Sequence, residues 1–230
     1  MALVAIFVVT ALAIGFLVRQ PARTADTPPP GEGGTMSASQ DINTVTKEAI
    51  FAGGCFWCIE SAFELMPGVT EAVSGYTGGH VENPTYRQVS AGTTGHFEAV
   101  LVRYDPAQTT YDRLLDQFWR SIDPTDAGGQ FYDRGSQYLT AIFYLDEAQR
   151  ESAEASKRTM DESGIFGAPI VTQILPAQTF YPAEDYHQDY SRTCSVQYNA
   201  YSRASGRETY LEQTWGGQNP SESTSSENDE

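Results

Sequence analysis

Residues 49 to 66 read AIFAGGCFWCIESAFELM. Ala49 to Ala52 is an apolar run of strand length, and Gly53-Gly54 closes it in a tight turn. From Cys55 onward Ile59, Phe63 and Met66 recur on one helical face until Pro67-Gly68 stops it. A buried strand, a glycine turn and a helix therefore follow one another, with a cysteine at the corner.

Moving outward, Phe97 to Tyr104 (FEAVLVRY) and Leu139 to Leu145 (LTAIFYL) have strand composition. Tyr111 to Ser121 and Glu147 to Ser163 have helical spacing, whereas the aromatic, polar stretch from Gly167 to Tyr201 reads as loop-rich. Strands alternating with helices predict an α/β or α+β domain.

The ends of the chain differ from this middle. Ala2 to Val18 carries no charge, a length at the short limit for crossing a bilayer, so residues 1–19 are expected to be an N-terminal anchor or a signal segment. The expected location is a membrane-anchored or exported domain, on the periplasmic side or its opposite. Arg19 and Arg23 are too few to orient it. Residues 20–46, rich in Pro, Gly, Ser and Thr, read as a flexible linker, and residues 216–230 as a disordered acidic tail. Residues 47–215 remain as a single folded domain.

With 14 Lys and Arg against 30 Asp and Glu, the formal charge of −16 argues against a nucleic-acid partner. Three cysteines are too few for a disulfide framework and leave one thiol unpaired. They read as chemistry.

Cys55 opens a helix, where unsatisfied N–H groups and the positive end of the dipole favour thiolate over thiol. Cys58 is one turn on, with Cβ atoms about 5 to 6 Å apart in a regular helix. A slight tightening at the helix end would permit a disulfide. The C-x-x-C spacing alone also suits zinc or a general dithiol–disulfide oxidoreductase. Zinc would need two more ligands from Cys194, His80, His96 and His187, none of which forms a second paired motif. No metal site is expected.

The stretch GGCFWCIE at 53–60 resembles the G-C-F-W-x-x-E signature of the peptide methionine-S-sulfoxide reductases. PGV at 67–69, GYTGGH at 75–80, NPTYRQV at 83–89, TGHFEAV at 94–100, YDRGSQY at 132–138 and AEDYHQDY at 183–190 resemble further family blocks in family order. The resemblance implies an α+β fold of the α/β roll or ferredoxin-like kind, with a mixed sheet flanked by helices. It implies Cys55 as nucleophile, Glu98, Tyr86 and Tyr138 as the groups that orient and protonate the sulfoxide oxygen, and Phe56 and Trp57 as the methyl pocket. Asp133 matches a further site residue, and His187 lies in a family-like block among the substrate-binding candidates. It also implies repair of oxidised methionine in proteins or free, by a monomer that needs no organic cofactor and is recycled by thioredoxin or another dithiol.

One departure concerns recycling. Many family members have a small residue at position 58 and resolving cysteines in a glycine-rich tail, and this tail has none. Cys58 and Cys194 are the two candidates for resolving a Cys55 sulfenic acid. Cys58 is the favoured first resolver because so short a ring closes at little entropic cost.

Overall fold

The computed structural model describes residues 45–216. The apolar segment, nearly all of the linker and the acidic tail lie outside the described residues.

In chain order the elements are β1 (Lys47–Gly53), α1 (Phe56–Glu64), β2 (Val69–Thr77), α2 (Tyr86–Ser90), β3 (Phe97–Tyr104), α3 (Tyr111–Trp119), β4 (Gly129–Gln130) and β5 (Asp133–Arg134). There follow β6 (Thr140–Tyr144), α4 (Glu147–Glu162), β7 (Gln173–Pro176), β8 (Tyr181–Pro182), α5 (Tyr190–Thr193), α6 (Ser195–Ser205) and α7 (Arg207–Trp215). Short 3-10 turns occupy Ser136–Tyr138 and Asp185–His187.

Six strands form one sheet in the order β7-β6-β1-β3-β2-β8, and β4 pairs with β5 alone. Every contact in the large sheet is antiparallel except β6 with β7, which α4 connects as a parallel crossover. The mixed sheet of the sequence reading is therefore present.

Both faces of the central strands are buried, which is why β1 reads as a continuous apolar run. One face gathers Ala49, Phe51, Val100, Val102 and Ile142 against Phe56, Ile59 and Phe63 of α1, Leu114, Leu115, Phe118 and Trp119 of α3, and Ala153 of α4. The other sets Ile50, Ala52, Leu101 and Phe143 against Phe97, Leu175 and Phe180. Phe51 stacks on Phe63 at 4.9 Å and on Phe118 at 5.1 Å between centroids, so three elements meet at one ring.

Two readings need correction. The stretch 167–201 is not simply loop: it supplies the edge strands β7 and β8, all of α5 and the first half of α6. Its helices have no apolar face to betray them, since α6 buries only Ser202. The strand β2 also went unread, because VTEAVSGYT mixes polar, small and apolar residues without clean alternation. The expected strand 97–104 coincides with β3, and the five other expected elements differ only at their ends.

Candidate active site

Packing explains the two glycines. A Cβ on Gly53 would lie 2.5 Å from Ile59 Cδ1 and 2.9 Å from Ile122 Cγ2. Gly54 has φ of +84°, and a Cβ there would lie 2.5 Å from Gln130 Cβ. The turn can therefore be this tight only without side chains. It delivers Cys55 to the N-cap of α1, with the Cys58 N–H donating to the Cys55 carbonyl at 3.2 Å.

Glu98 is placed by the pleat of β3. It shares a face with Val100 and Val102, beneath α1, and stands opposite Tyr76 in β2. Its Oε2 accepts the Phe56 N–H at 3.1 Å, so the acid is pinned to the residue next to Cys55. Burial pushes Glu98 up to about 8; the Phe56 N–H opposes this, Asp133 and Cys58 add to it, and the Tyr138 hydroxyl, which donates to the carboxyl, lowers it again. At neutral pH the group is predominantly the un-ionised acid. Tyr86, the first residue of α2, is raised to about 12 by burial and then by Glu98 and Cys55. Tyr138 is raised too, chiefly by burial and next by Glu98. Both tyrosines keep their protons and can donate.

The aromatic candidates also converge. Phe56 lies 5.0 Å from the His187 ring and 6.4 Å from Tyr86, and Tyr86 lies 4.4 Å from His187. Trp57 Nε1–H donates to His187 Nδ1 at 3.2 Å. Indole is only a donor, so this bond leaves the His187 proton on Nε2. That Nε2–H is buried without a partner, and burial lowers the His187 pKa, keeping the ring neutral. Asp133 accepts from the Tyr201 hydroxyl, and burial raises its carboxyl.

The thiols depart from expectation. Cys55 and Cys58 are each 5 % exposed, and all three cysteines are unpaired. Burial first, then Cys58 and Glu98, hold the Cys55 proton on rather than off, against a lowering hydrogen bond from Tyr201. The helix terminus does not free the thiolate as expected, because burial outweighs it. Cys58 is lowered instead, first by the hydrogen bond from Cys55, with burial opposing and Arg207 assisting. The pair shares one readily lost proton, and the two opposite shifts favour the charge on Cys58 over Cys55.

Cys194, partly exposed at the junction of α5 and α6, hydrogen-bonds to Tyr190. Tyr190 in turn stacks on Trp57 at 3.9 Å with ring planes 10° apart. The sequence reading missed Tyr190, Tyr198, Tyr201 and Arg207 as parts of this site. Tyr190 alone had a signal, the AEDYHQDY block.

Two thiols that exchange a proton, with an un-ionised acid fixed to the same helix start, can reduce a substrate by thiol chemistry. Fold and site thus define a thiol-dependent reductase of the α+β class. A model of the family described as peptide methionine sulfoxide reductase matches residues 47–219. Peptide methionine sulfoxide reductase MsrA of Bacillus licheniformis is 55 % identical over 168 residues, covering 73 % of this chain and 93 % of the relative. The protein of the same name from Listeria monocytogenes serotype 4a is 52 % identical over 171 residues, covering 74 % and 97 %. Among solved structures, methionine sulfoxide reductase A of Corynebacterium diphtheriae matches with a TM-score of 0.59 at 35 % identity, covering 66 % of this chain and 76 % of that one. Reduced Mxr1 from Saccharomyces cerevisiae matches with a TM-score of 0.61 at 30 % identity, covering 64 % and 85 %. The chain belongs to the peptide methionine sulfoxide reductase family. Its reaction is the thiol-dependent reduction of methionine S-sulfoxide, which displaces the general dithiol oxidoreductase reading.

Proposed function

We propose that Cys55 attacks the sulfoxide sulfur while Glu98 gives its proton to the sulfoxide oxygen. The observation that carries this is Glu98, un-ionised and held 3.1 Å from the Phe56 amide, one residue from the nucleophile. As Cys55 attacks, its proton passes along the hydrogen bond to Cys58. Methionine leaves, Cys55 becomes a sulfenic acid and Glu98 a carboxylate. Tyr86 and Tyr138 donate to the oxygen as charge gathers on it. Phe56 and Trp57 receive the methyl group, and His187 and Asp133 hold the rest of the substrate.

Cys58 then condenses with the sulfenic acid, forming the Cys55–Cys58 disulfide and water. Cys194 interacts with Tyr190 and serves later thiol exchange or none. Thioredoxin or another dithiol restores the pair. The domain acts as a monomer, on protein-bound or free methionine sulfoxide, without an organic cofactor. It is held at or beyond a membrane through residues 1–19, with residues 20–46 as spacer; the charge-free run Ala2 to Val18 supports this placement. Protease access to the domain in intact and broken cells tests the side.

The catalytic reading is tested by incubating each sulfoxide epimer with dithiothreitol and wild type or Cys55→Ser. Turnover of the S epimer is expected to fall by at least about 10⁴-fold in the variant. Reduction that survives in Cys55→Ser, or preference for the R epimer, overturns it. After one turnover without reductant, peptide mapping is expected to find Cys55 bonded to Cys58. Cys58→Ser should leave a persistent sulfenic acid.

A further inference from the structure

Arg207, the first residue of α7, is 5 % exposed. One guanidinium nitrogen donates to the Gly53 carbonyl at 3.1 Å and another to the Ser121 carbonyl. The guanidinium also lies over an aromatic face, its carbon 4.6 Å from the Phe131 ring centroid. Its Nε has no partner. Among the described residues no carboxylate lies within ion-pair distance of it.

Burying a cation without a counter-ion is strongly unfavourable. Main-chain carbonyls and a ring face offset part of this but supply no net negative charge. A carboxylate in electrostatic reach, Asp133, is already bonded to the Tyr201 hydroxyl. What remains is the dithiol, because Arg207 grips the carbonyl of Gly53, two residues before Cys55, and its Nη2 would lie 3.3 Å from a Cβ on Gly54.

We propose that Arg207 is a positioning residue that serves as the counter-charge of the Cys55–Cys58 pair, holding the nucleophile turn and stabilising negative charge on Cys58. The inference rests on Cys58 as resolving thiol. In that step the Cys58 sulfur bonds to the Cys55 sulfur, and the Cys55 S–O bond breaks. The sulfenic sulfur is reduced, Cys58 is oxidised, and the oxygen leaves as water with the Cys58 proton. Arg207 lowers the cost of the charge that Cys58 carries as it attacks, and again when an external dithiol displaces it.

The groups around Cys58 come from every neighbouring element. Cys55 and the Tyr198 hydroxyl of α6 hydrogen-bond to it, and Arg207 of α7 favours its anion. Asp133 of β5 disfavours that anion, Glu98 of β3 is itself raised by it, and so is Tyr201 of α6. Arg207 is the cation in this set.

The test isolates Cys58 in the full chain carrying Cys55→Ser and follows alkylation by iodoacetamide against pH, read as intact mass. The midpoint is expected below the ordinary thiol value of about 8.5. Adding Arg207→Met is expected to raise it by about one pH unit or more, whereas Arg207→Lys should restore at least half of that shift. In chains with both thiols, Arg207→Met should slow disulfide formation at pH 7 by about tenfold, which is that one-unit shift read as a rate. An unchanged midpoint in a folded Arg207→Met chain, or a Lys variant shifted as far as Met, overturns the proposal. If Arg207→Met does not fold, Arg207→Gln in the same Cys55→Ser chain takes its place, and an unchanged midpoint there overturns the proposal equally. A disulfide mapped to Cys194 would instead defeat Cys58 as resolver, leaving the alkylation midpoints to judge Arg207 separately.

Discussion

The two ends of the described domain hold the same active site by different means. In the segment from β1 to β3, apolar packing fixes position: α1 buries Phe56, Cys58, Ile59, Glu60 and Phe63, and the strands on either side are closed on both faces. The segment from α5 to α7 buries only Ser202 and Arg207 in its two long helices, and it reaches the site through hydroxyls, rings and one guanidinium. The first segment sets where the reacting atoms are. The second sets how much charge they can carry.

The largest effect expected within this contrast comes from Glu98, a charge-bearing group placed in the apolar half. Glu98→Gln should lower turnover of the S-sulfoxide by about 10² to 10⁴-fold. Because the wild-type acid works only while protonated, its rate should fall as pH rises through about 8, and the variant should lose that alkaline limb. The stability sign follows from the raised pKa. The fold favours the protonated form, so this group's contribution is full below its unfolded pKa of about 4.3 and is lost as pH rises to about 8. Urea midpoints at pH 5 and pH 9 should therefore show Glu98→Gln gaining on wild type toward pH 9. A difference that shrinks in that direction would mean that Glu98 is ionised in the folded state.

Gly54→Ala probes the apolar half through its backbone. With φ at +84° and Gln130 in the way, the added methyl should cost about 1 to 3 kcal/mol of stability by urea denaturation. A cost below about 0.5 kcal/mol would show that the turn relaxes and that packing does not fix the nucleophile.

How much could be read in advance follows the same division. Ala49 to Cys55 announced strand, turn and helix because apolar period and glycine signals agree there, and Phe97 to Tyr104 announced β3 for the same reason. Glu98, Tyr86 and Tyr138 were found only through motif resemblance, since a Glu on a strand and two of thirteen tyrosines carry no local signal. Arg207 and Tyr201 were invisible because their roles depend on helices whose exposed, polar sequence has no buried stripe. The ionisation of Cys55 was misjudged for a related reason: position at a helix start is legible in sequence, but burial at 5 % exposure is a tertiary fact.

Tyr201→Phe sharpens the comparison from the polar side. It removes one hydroxyl that donates to Asp133 and favours the Cys55 thiolate, while leaving the ring that meets Trp57 edge-on at 6.0 Å. One hydrogen bond contributes about 0.5 to 1.5 kcal/mol, so the rate should fall about two- to tenfold with little change in stability. A loss as large as that of Glu98→Gln would make the polar segment a direct participant in the chemistry, and the division of labour would fail.

Cys194→Ser should do least. Cys194 is partly exposed, it contacts Tyr190 rather than the dithiol, and it belongs to the segment whose influence is electrostatic. Replacing a thiol by a hydroxyl there keeps a hydrogen-bonding group and leaves the charge of the site unchanged. The expected change is within about twofold in steady-state turnover with thioredoxin, the scale of an isolated surface substitution. The Cys55–Cys58 disulfide should form after one turnover as in wild type. If the variant instead stalls at the sulfenic acid, the polar segment supplies the resolving atom itself, and Cys58 is left as the proton acceptor for Cys55 alone.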